Sequence, residues 1–375
     1  MSFRKNISQQ ITFEDILYGL TARERKALNG SWAKYFADEI FPYIDEEPFR
    51  VLYSEKGSRP NTPVNVCVAA LIIKELQGVS DEEMAPNLML DQRYQLAMYT
   101  TSCAEQPLSD KTLQRFRNRC AKYLEETGID LIHDCITALA DRIREALGLS
   151  GRLRRMDSLM IAANIKRLNR MQLLYTCVRN LVKRDEKLGL EIPEQRQHYL
   201  NSSDYNRVFY YANSDENAGE LERILEDAAD LLACTAAEHQ ESNEYVMLKR
   251  CMEEQTTTDE ESGELRLRTK EDGGMHSGIL QNPSDPDATY REKAGKSHRG
   301  YVANVEETAG ENGSVVMDYQ VEANNYSDNQ FLPDSLERME TPADPADPQE
   351  TVTLVTDGAY AGPENQGLAE RRMSI

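Results

Sequence analysis

Apolar residues recur every three to four positions over most of the first 150 residues, which predicts a series of amphipathic helices. The segments 21–24 (T-A-R-E) and 80–83 (S-D-E-E) have the capping-box spacing of a helix start. Between them, residues 64–77 follow a Thr-Pro pair and stop at Gly78, as a capped helix would. A helix, a glycine turn and a second helix outline a helix-turn-helix, although many ordinary helical hairpins share that outline.

Two further helices are expected before the pattern changes. Ser109 is expected to cap the first, and the second is expected over residues 129–147. Gly148 and Gly151 then interrupt the periodicity. Residues 1–150 are therefore predicted to form an all-helical N-terminal domain.

A different pattern begins after Gly151. Residues 153–161 form a short apolar segment around Asp157, for which a strand is the better prediction. Helical periodicity returns over residues 166–250, and a polar stretch to residue 274 is expected to be a mobile loop. Residues 151–375 are thus predicted to be a second domain, with a helical insertion and mobile loop at 165–275.

The end of the chain again predicts strands. Segments 298–308 and 314–324 are joined by A-G-E-N-G, which suits a hairpin turn. A short helix at 329–339 and a Pro-rich spacer lead to a strand at 351–356, which ends at Asp357. The overall fold class is α+β. An RNase H-like fold interrupted after its first strand would give this order of elements.

Asp157 and Asp357 are the strongest candidates for chemistry. Each carboxylate lies in or after a short apolar segment, where it would be costly to bury without a partner or a metal. Two such acids on neighbouring strands would make an oxygen-rich site for Mg²⁺ or Mn²⁺. The alternative is that Asp157 caps a turn and Asp357 opens the loop after its strand. The spacing alone does not favour the metal site over the turn residues.

The composition limits which ligands, which metal sites and which cellular location are expected. The net charge is −21, but residues 1–170 carry 24 Lys and Arg against 23 Asp and Glu, so the remainder holds 19 against 41. Any contact with nucleic acid is therefore expected mainly in the first half. The seven cysteines have no C-x-x-C spacing and are expected to be reduced, and no zinc site is expected. No membrane span and no secretion signal are expected either, which places the protein in the cytoplasm.

Several segments together resemble bacterial insertion-sequence transposases of the DDE type. The N-terminal region from R-V-L-Y-S-E-K-G-S-R-P-N-T-P-V to Arg119 is similar to the helical N-terminal domain of that family. Five further segments resemble successive family blocks, in the right order: R-R-M-D-S-L-M-I-A-A-N-I, P-S-D-P-D-A-T-Y-R-E-K, H-R-G-Y-V-A-N-V-E-E-T, D-Y-Q-V-E-A-N-N-Y-S-D-N-Q-F-L-P and L-V-T-D-G-A-Y. The resemblance covers most of residues 40–370.

The resemblance implies an RNase H-like domain in which two Asp and one Glu hold two Mg²⁺ ions for DNA cleavage and strand transfer. Asp157 and Asp357 match the first two acids, as catalytic residues and metal ligands. The third acid normally follows one more strand, whereas Glu364 and Glu370 come directly after Asp357. The domain is therefore expected to be incomplete at its C-terminus, and the polypeptide alone is expected not to transpose.

Basic residues supply the candidate DNA contacts. Those on the predicted helix after Ser109 share a face, apart from Arg117, and others precede Asp157 or follow residue 290. The candidates are Lys111, Arg115, Arg119, Lys122, Arg154, Arg155, Arg291, Lys293 and Lys296. Each group could equally be an ordinary solvated surface. The expected partners are double-stranded DNA, as transposon ends and target, and a second copy in a homodimer, with the protein associated with the bacterial nucleoid. The competing hypothesis is a non-catalytic remnant that binds DNA or dimerises.

Overall fold

The computed structural model describes most of the chain and divides it into two compact units. The described residues are 1–6, 15–57, 59–103, 105–109, 111–211, 214–259, 262–293, 295–339 and 352–372, without the side chains of 211, 214–218, 366 and 369–372. The units are Met1–Arg155 with Glu307–Asp318 and Met156–Glu306 with Tyr319–Ile375. The spacer at 341–350 lies outside the described residues. Within the described ranges, no helix is both long enough and apolar enough to cross a membrane.

Helices dominate the first unit. The α-helices that the structure describes there are α1 (Ala22–Asn29), α2 (Trp32–Glu39), α3 (Val64–Gln77), α4 (Asp81–Leu90), α5 (Gln92–Ala97), α6 (Thr112–Thr127) and α7 (Leu131–Ala146). Short 3-10 turns lie at Ile16–Gly19, Phe41–Tyr43 and Glu47–Leu52. The core forms around α3, whose first seven residues are all buried, because that helix is apolar on nearly every side.

The predicted helix starts are largely confirmed. Both capping boxes form, Thr21 with Glu24 and Ser80 with Glu83. Gly78 closes α3 in the left-handed conformation at φ +65°, which a residue with a side chain adopts only with strain. The helical hairpin expected from residues 64–90 is therefore present.

Two boundaries differ from the prediction. The amphipathic pattern of the sequence runs on from Trp32 to Ile44, but α2 ends at Glu39, because Pro42 cannot continue an α-helix and a 3-10 turn follows. Ser109 does not cap α6. Its hydroxyl contacts the Thr112 hydroxyl at 2.8 Å instead, and α6 begins only at Thr112.

A histidine–carboxylate pair within the first unit gives a pH prediction. His133, near the start of α7, lies with Nε2 2.8 Å from Asp318 Oδ1. This hydrogen bond raises the pKa of His133, with burial opposing it and the charges of Asp318, Asp134 and Asp130 adding to it. A histidine with a raised folded-state pKa stabilises the protein below its unfolded pKa of about 6.5, and the contribution disappears as pH rises through the folded value.

We therefore expect the wild type to lose stability relative to His133→Gln as pH rises from below about 6.5 through the raised pKa of folded His133. The hydrogen bond to a charged group should contribute about 1.5–3 kcal/mol at the lower pH. Trp32 is the single tryptophan of the chain and lies in the first unit, so its fluorescence in urea reports this unit. If the free energy of unfolding depends on pH identically in the wild type and in His133→Gln, the prediction is contradicted.

The second unit combines helices with a sheet. Its described α-helices are α8 (Arg170–Lys187), α9 (Asp204–Asn206), α10 (Ser214–Cys234), α11 (Asn243–Gln255), α12 (Asp328–Arg338) and α13 (Pro363–Arg372). The described strands of the chain are β1 (Leu153–Ala162), β2 (Thr256–Thr258), β3 (Leu265–Leu267), β4 (Thr289–Lys293), β5 (Lys296–Gly310), β6 (Gly313–Ala323) and β7 (Thr353–Val355). Residues 153–155 of β1, 307–310 of β5 and 313–318 of β6 belong to the first unit. A π-helical turn, Arg207–Tyr211, follows α9, and 3-10 turns lie at Glu194–Leu200 and Ala237–His239. The seven cysteines are free thiols.

The main sheet has the order β4-β5-β1-β7, and β6 also pairs with β5. The long strand β5 is therefore central. It runs antiparallel to β4, with Tyr290 opposite Arg299. At its other edge, the Ala163 N–H donates to the Arg299 carbonyl at 3.0 Å. This arrangement places β1 and β7, the strands associated with Asp157 and Asp357, next to each other.

The insertion between β1 and β4 has its own core, with buried aromatic and aliphatic residues of α8, α10 and α11. The sequence at 215–230 carries a run of acids typical of a solvated helix face, but Asp227 is buried. It accepts hydrogen bonds from the Tyr199 hydroxyl at 2.9 Å and from Arg196 at 3.4 Å. A buried carboxylate is tolerated there because donors reach it from elsewhere in the chain.

The segment at 253–274 was expected to be a mobile loop, and it contains ordered elements instead. Helix α11 extends into it, and β2 pairs antiparallel with β3. Arg266 bridges Asp259 at 3.2 Å and Asp272 at 2.7 Å. These ion pairs hold the polar turn together although it contains few apolar residues.

Candidate functional site

Asp157 and Asp357 lie on neighbouring strands or directly after them, and both carboxylates are exposed. Oδ1 of Asp157 accepts from the Ser158 N–H at 2.8 Å. Oδ1 of Asp357, two residues after β7, accepts from the Ala359 N–H at 2.8 Å. Each carboxylate is thus oriented by one backbone donor, and within the described residues no partner donates to either Oδ2.

Tyr360 is the buried side chain next to these acids. It is completely buried, and its hydroxyl donates to Asn304 Oδ1 on β5 at 2.7 Å. Asn365, on α13, donates from Nδ2 to the Tyr360 carbonyl and to the Asn329 carbonyl, each at 2.8 Å. The turn that carries Asp357 is therefore fixed to the sheet and to α12 by buried hydrogen bonds.

The two aspartates, on or after neighbouring strands, both act on the ionisation of Tyr360. Its pKa is raised, first because the hydroxyl is buried and then because the charges of Asp328, Asp157 and Asp357 disfavour the phenolate. A hydrogen bond with Ser158 acts in the opposite direction. Three carboxylates, from β1, α12 and the turn after β7, therefore disfavour the charged form of one hydroxyl group.

Asp328 is the member of this group that sequence reasoning missed. It is the first residue of α12, it is buried, and its Oδ1 accepts from the Ser158 hydroxyl at 2.9 Å. An acid at a helix N-terminus is stabilised by the helix dipole. Only its position in S-D-N-Q-F-L-P, one of the segments already linked to the family, could have singled it out. Tyr360 was likewise present in L-V-T-D-G-A-Y without being assigned a role.

The carboxylates of Asp157 and Asp357 supply part of the ligand set that a hard cation such as Mg²⁺ needs. Asp157 and Asp357 offer exposed carboxylate oxygens, and Mg²⁺ in proteins is commonly held by one or two carboxylates with waters and substrate phosphates. Within the described ranges, however, no group of three or more His, Cys, Asp or Glu side chains is placed to hold a metal ion. Glu364 is exposed at the start of α13, and the side chain of Glu370 lies outside the described residues.

Removing the Tyr360 hydroxyl should loosen this site. In Tyr360→Phe the buried side-chain amide oxygen (Oδ1) of Asn304 loses its donor, which should cost about 1–3 kcal/mol. Thermal unfolding followed by far-UV circular dichroism would measure the loss. Tyr210→Phe is the matched control, because the Tyr210 side chain is exposed. Equal melting temperatures of Tyr360→Phe and the wild type would contradict the hydrogen-bond assignment.

The basic helix predicted for DNA contact is α6. Arg115 and Lys122 are exposed on it, and Lys111 is exposed just before it. Arg119 is half-buried, with its guanidinium 5.2 Å from the centre of the Tyr53 ring. Arg119 is therefore already engaged by the protein, whereas Lys111 and Arg115 offer their charge to solvent.

The two remaining basic residues of α6, Lys122 and Arg117, each lie in an ion pair. Lys122 lies 3.5 Å from Glu126, an exposed pair that contributes little to stability. Arg117, which was expected off the shared face, forms an ion pair with Asp81 at the start of α4. The pairing with Asp81 gives Arg117 a structural role.

The other basic candidates are distributed over both units. Arg155 pairs with Glu307, and Arg154 donates from Nε to the Gly151 carbonyl at 3.2 Å, both within the first unit. In the second unit, Lys293 and Lys296 are exposed at the end of the β4–β5 hairpin, and Arg291 is half-buried on β4. Six of the nine candidates thus belong to the first unit and three to the second.

Comparison with known proteins adds one match. A family model described as a transposase domain (DUF772) matches residues 26–119, about a quarter of the chain. The matched stretch lies in the first unit, from within α1 to within α6. No curated protein and no solved structure matches the chain significantly. The family match supports a transposase function.

Proposed function

We propose that this chain is a transposase of a bacterial DNA insertion sequence that binds double-stranded DNA and, on its own, does not complete strand transfer. The observation that carries the proposal is the transposase-domain match over residues 26–119, followed along the chain by two aspartates around Tyr360. The DDE assignment, the RNase H-like architecture of the second unit and a nucleoid location in the cytoplasm belong to this proposal.

In the proposed site, Asp157 and Asp357 would hold Mg²⁺ or Mn²⁺ together with DNA phosphate oxygens. Such an ion, when bound, polarises the phosphate and the attacking oxygen. The protein's contribution is orientation, since backbone N–H groups fix one oxygen of each carboxylate and Tyr360 fixes the turn. An intact site of the family holds two ions with a third acid, and no such group of three lies within the described residues.

DNA binding is assigned to the exposed charge around α6. A cation that neutralises a phosphate releases a counterion, so affinity should fall steeply as salt rises. Gel shifts on transposon-end duplexes across a salt series would measure this dependence. Replacing Lys111, Arg115 and Lys122 together with glutamine should weaken binding and reduce the salt slope by about 2–3. Lys34→Gln, on α2, is the control cation.

Two results would contradict the proposal. An absence of binding to any duplex at low salt would remove the DNA-binding function altogether. Mg²⁺-dependent cleavage by the isolated chain, abolished by Asp157→Ala, would show that the site is complete without a further acid. A homodimer is proposed as the binding form, and light scattering of the protein with its duplex would test it.

One observation favours the second candidate, a non-catalytic DNA-binding remnant. Leu159 and Ile161 on β1 and Val355 on β7 are exposed, and they lie at alternate positions in register with Asp157 and Asp357. Several exposed apolar residues on one sheet face are typical of a surface that a partner covers. Binding without cleavage at any metal concentration would support this candidate.

A further inference from the structure

One cleft lies wholly within the second unit, and neither Asp157 nor Asp357 lines it. Its volume is about 760 Å³, within the range of small-molecule sites. The start of α8, residues 275–281, strand β4 and residues 325–327 form its walls. The apolar part of the lining consists of Leu168, Leu173, Met275, Ile279 and Leu280. The cleft therefore offers room and an apolar wall for a ligand with a flat, weakly polar body.

The charge of the lining is positive although the protein is strongly acidic. Three arginines and one glutamate, Glu292, line the cleft, in a chain of net charge −21. Arg170 is held by Gln255 and by the Arg268 carbonyl, at 2.6–2.7 Å. Within the described residues, no carboxylate forms an ion pair with Arg170, Arg291 or Arg299. A positive lining without internal counter-ions favours an anionic ligand.

Of the three arginines that line the cleft, Arg291 and Arg299 form the weaker or fewer hydrogen bonds within the protein. Arg291 reaches only the carbonyls of Asn324 and Tyr326, at 3.5 and 3.4 Å. Arg299 donates from Nε to Gln281 Oε1 at 2.9 Å. The remaining N–H groups of a guanidinium match the oxygens of a phosphate group.

Two tyrosines complete the lining. Tyr290 lies opposite Arg299 in the β4–β5 register. The Tyr326 hydroxyl donates to Asp334 at 2.6 Å, and burial followed by this hydrogen bond raises the pKa of Tyr326 to about 12. Tyr326 is therefore a neutral ring at physiological pH. Neutral aromatic rings beside arginines are the usual means of stacking a nucleic-acid base.

We infer that this cleft binds a nucleotide, with its phosphate attracted by the arginines of the lining and its base against the tyrosines and the apolar wall. An extended peptide added to the edge strand β4 fits less well, because the Tyr290 N–H already donates to the Ser277 carbonyl at 2.9 Å. The inference does not depend on catalysis by Asp157 and Asp357. The segment before α12 borders both the cleft and the aspartate site. Residues 325–327 line the cleft, and the next residue, Asp328, accepts a hydrogen bond from Ser158, which follows Asp157.

Isothermal titration of the full-length protein with deoxyadenosine monophosphate tests the inference. Deoxyadenosine, which lacks the phosphate, and inorganic phosphate, which lacks the base, should each bind at least tenfold more weakly. Arg291→Gln and Arg299→Gln should each weaken binding at least tenfold. Lys249→Gln, an exposed cation on α11 outside the cleft, should leave it unchanged. Far-UV circular dichroism would confirm that the variants are folded.

Competition identifies the source of the nucleotide. Displacement by a short single-stranded oligonucleotide supports a nucleotide within a DNA strand, and its failure supports a free nucleotide. Equal affinity for inorganic phosphate, no binding of the monophosphate, or unchanged binding in folded Arg291→Gln and Arg299→Gln would overturn the inference. Loss of duplex binding with retained monophosphate binding would defeat only the proposed function.

Discussion

Gly300→Ala is expected to disrupt the sheet that carries Asp157. Gly300 lies on β5 at φ +148°, a conformation that residues with a side chain rarely adopt. A Cβ atom added there would lie 2.1 Å from the Ile161 carbonyl oxygen and 2.6 Å from the Ala163 nitrogen. These are backbone atoms of the adjoining strand, so no side-chain rotation relieves the clash. Backbone strain of about 1–3 kcal/mol adds to it, and we expect a total loss of at least about 3 kcal/mol.

Thermal unfolding by far-UV circular dichroism, with limited proteolysis of the second unit, would measure this loss. Gly362→Ala is the control, because a Cβ at Gly362 meets no atom within 4 Å and its φ is not in the left-handed region. We expect Gly362→Ala to melt like the wild type and Gly300→Ala to melt far lower. A Gly300→Ala protein with wild-type stability would show that β1 and β5 are not so closely paired.

Asp157→Asn and Asp357→Asn are each expected to reduce Mn²⁺ affinity at least tenfold, because each removes a charged ligand from one proposed site. The double variant should lose much less than the product of the two single losses, since groups that hold one ion act together. Asp230→Asn, exposed on α10, is the matched control. If the double variant loses Mn²⁺ affinity by the product of the two single losses, the aspartates belong to two independent weak sites.

The helical half could be predicted well from local signals. The capping boxes at Thr21 and Ser80 and the stop at Gly78 depend on residues within one turn of each other, so the sequence displays them directly. Ser109 failed as a cap because Thr112 takes its hydrogen bonds, a local competition that spacing alone does not resolve. Asp157 and Asp357 were identified in the same way, from their place in short apolar segments.

Features that depend on contacts distant in sequence could not be predicted. Strand β4 has the sequence T-Y-R-E-K, which lacks an apolar face, and its pairing with β5 defines it. Asp328 resembles an ordinary helix start until Ser158, from β1, is seen to donate to it. Asp227 is likewise one acid among many in its helix until Tyr199 and Arg196 are seen to donate to it. The missing signal in each case is a partner elsewhere in the chain.

The central claim is that Asp157 and Asp357 form one metal site beside Tyr360. Iron-directed cleavage tests it most directly: Fe²⁺ is bound in place of Mg²⁺, ascorbate and peroxide are added, and the chain is cut near the ion. The claim predicts cuts near both residue 157 and residue 357, suppressed together by excess Mg²⁺ and lost together in either Asp157→Asn or Asp357→Asn. Cuts near only one aspartate, or cuts near both that respond independently to the two substitutions, would contradict it.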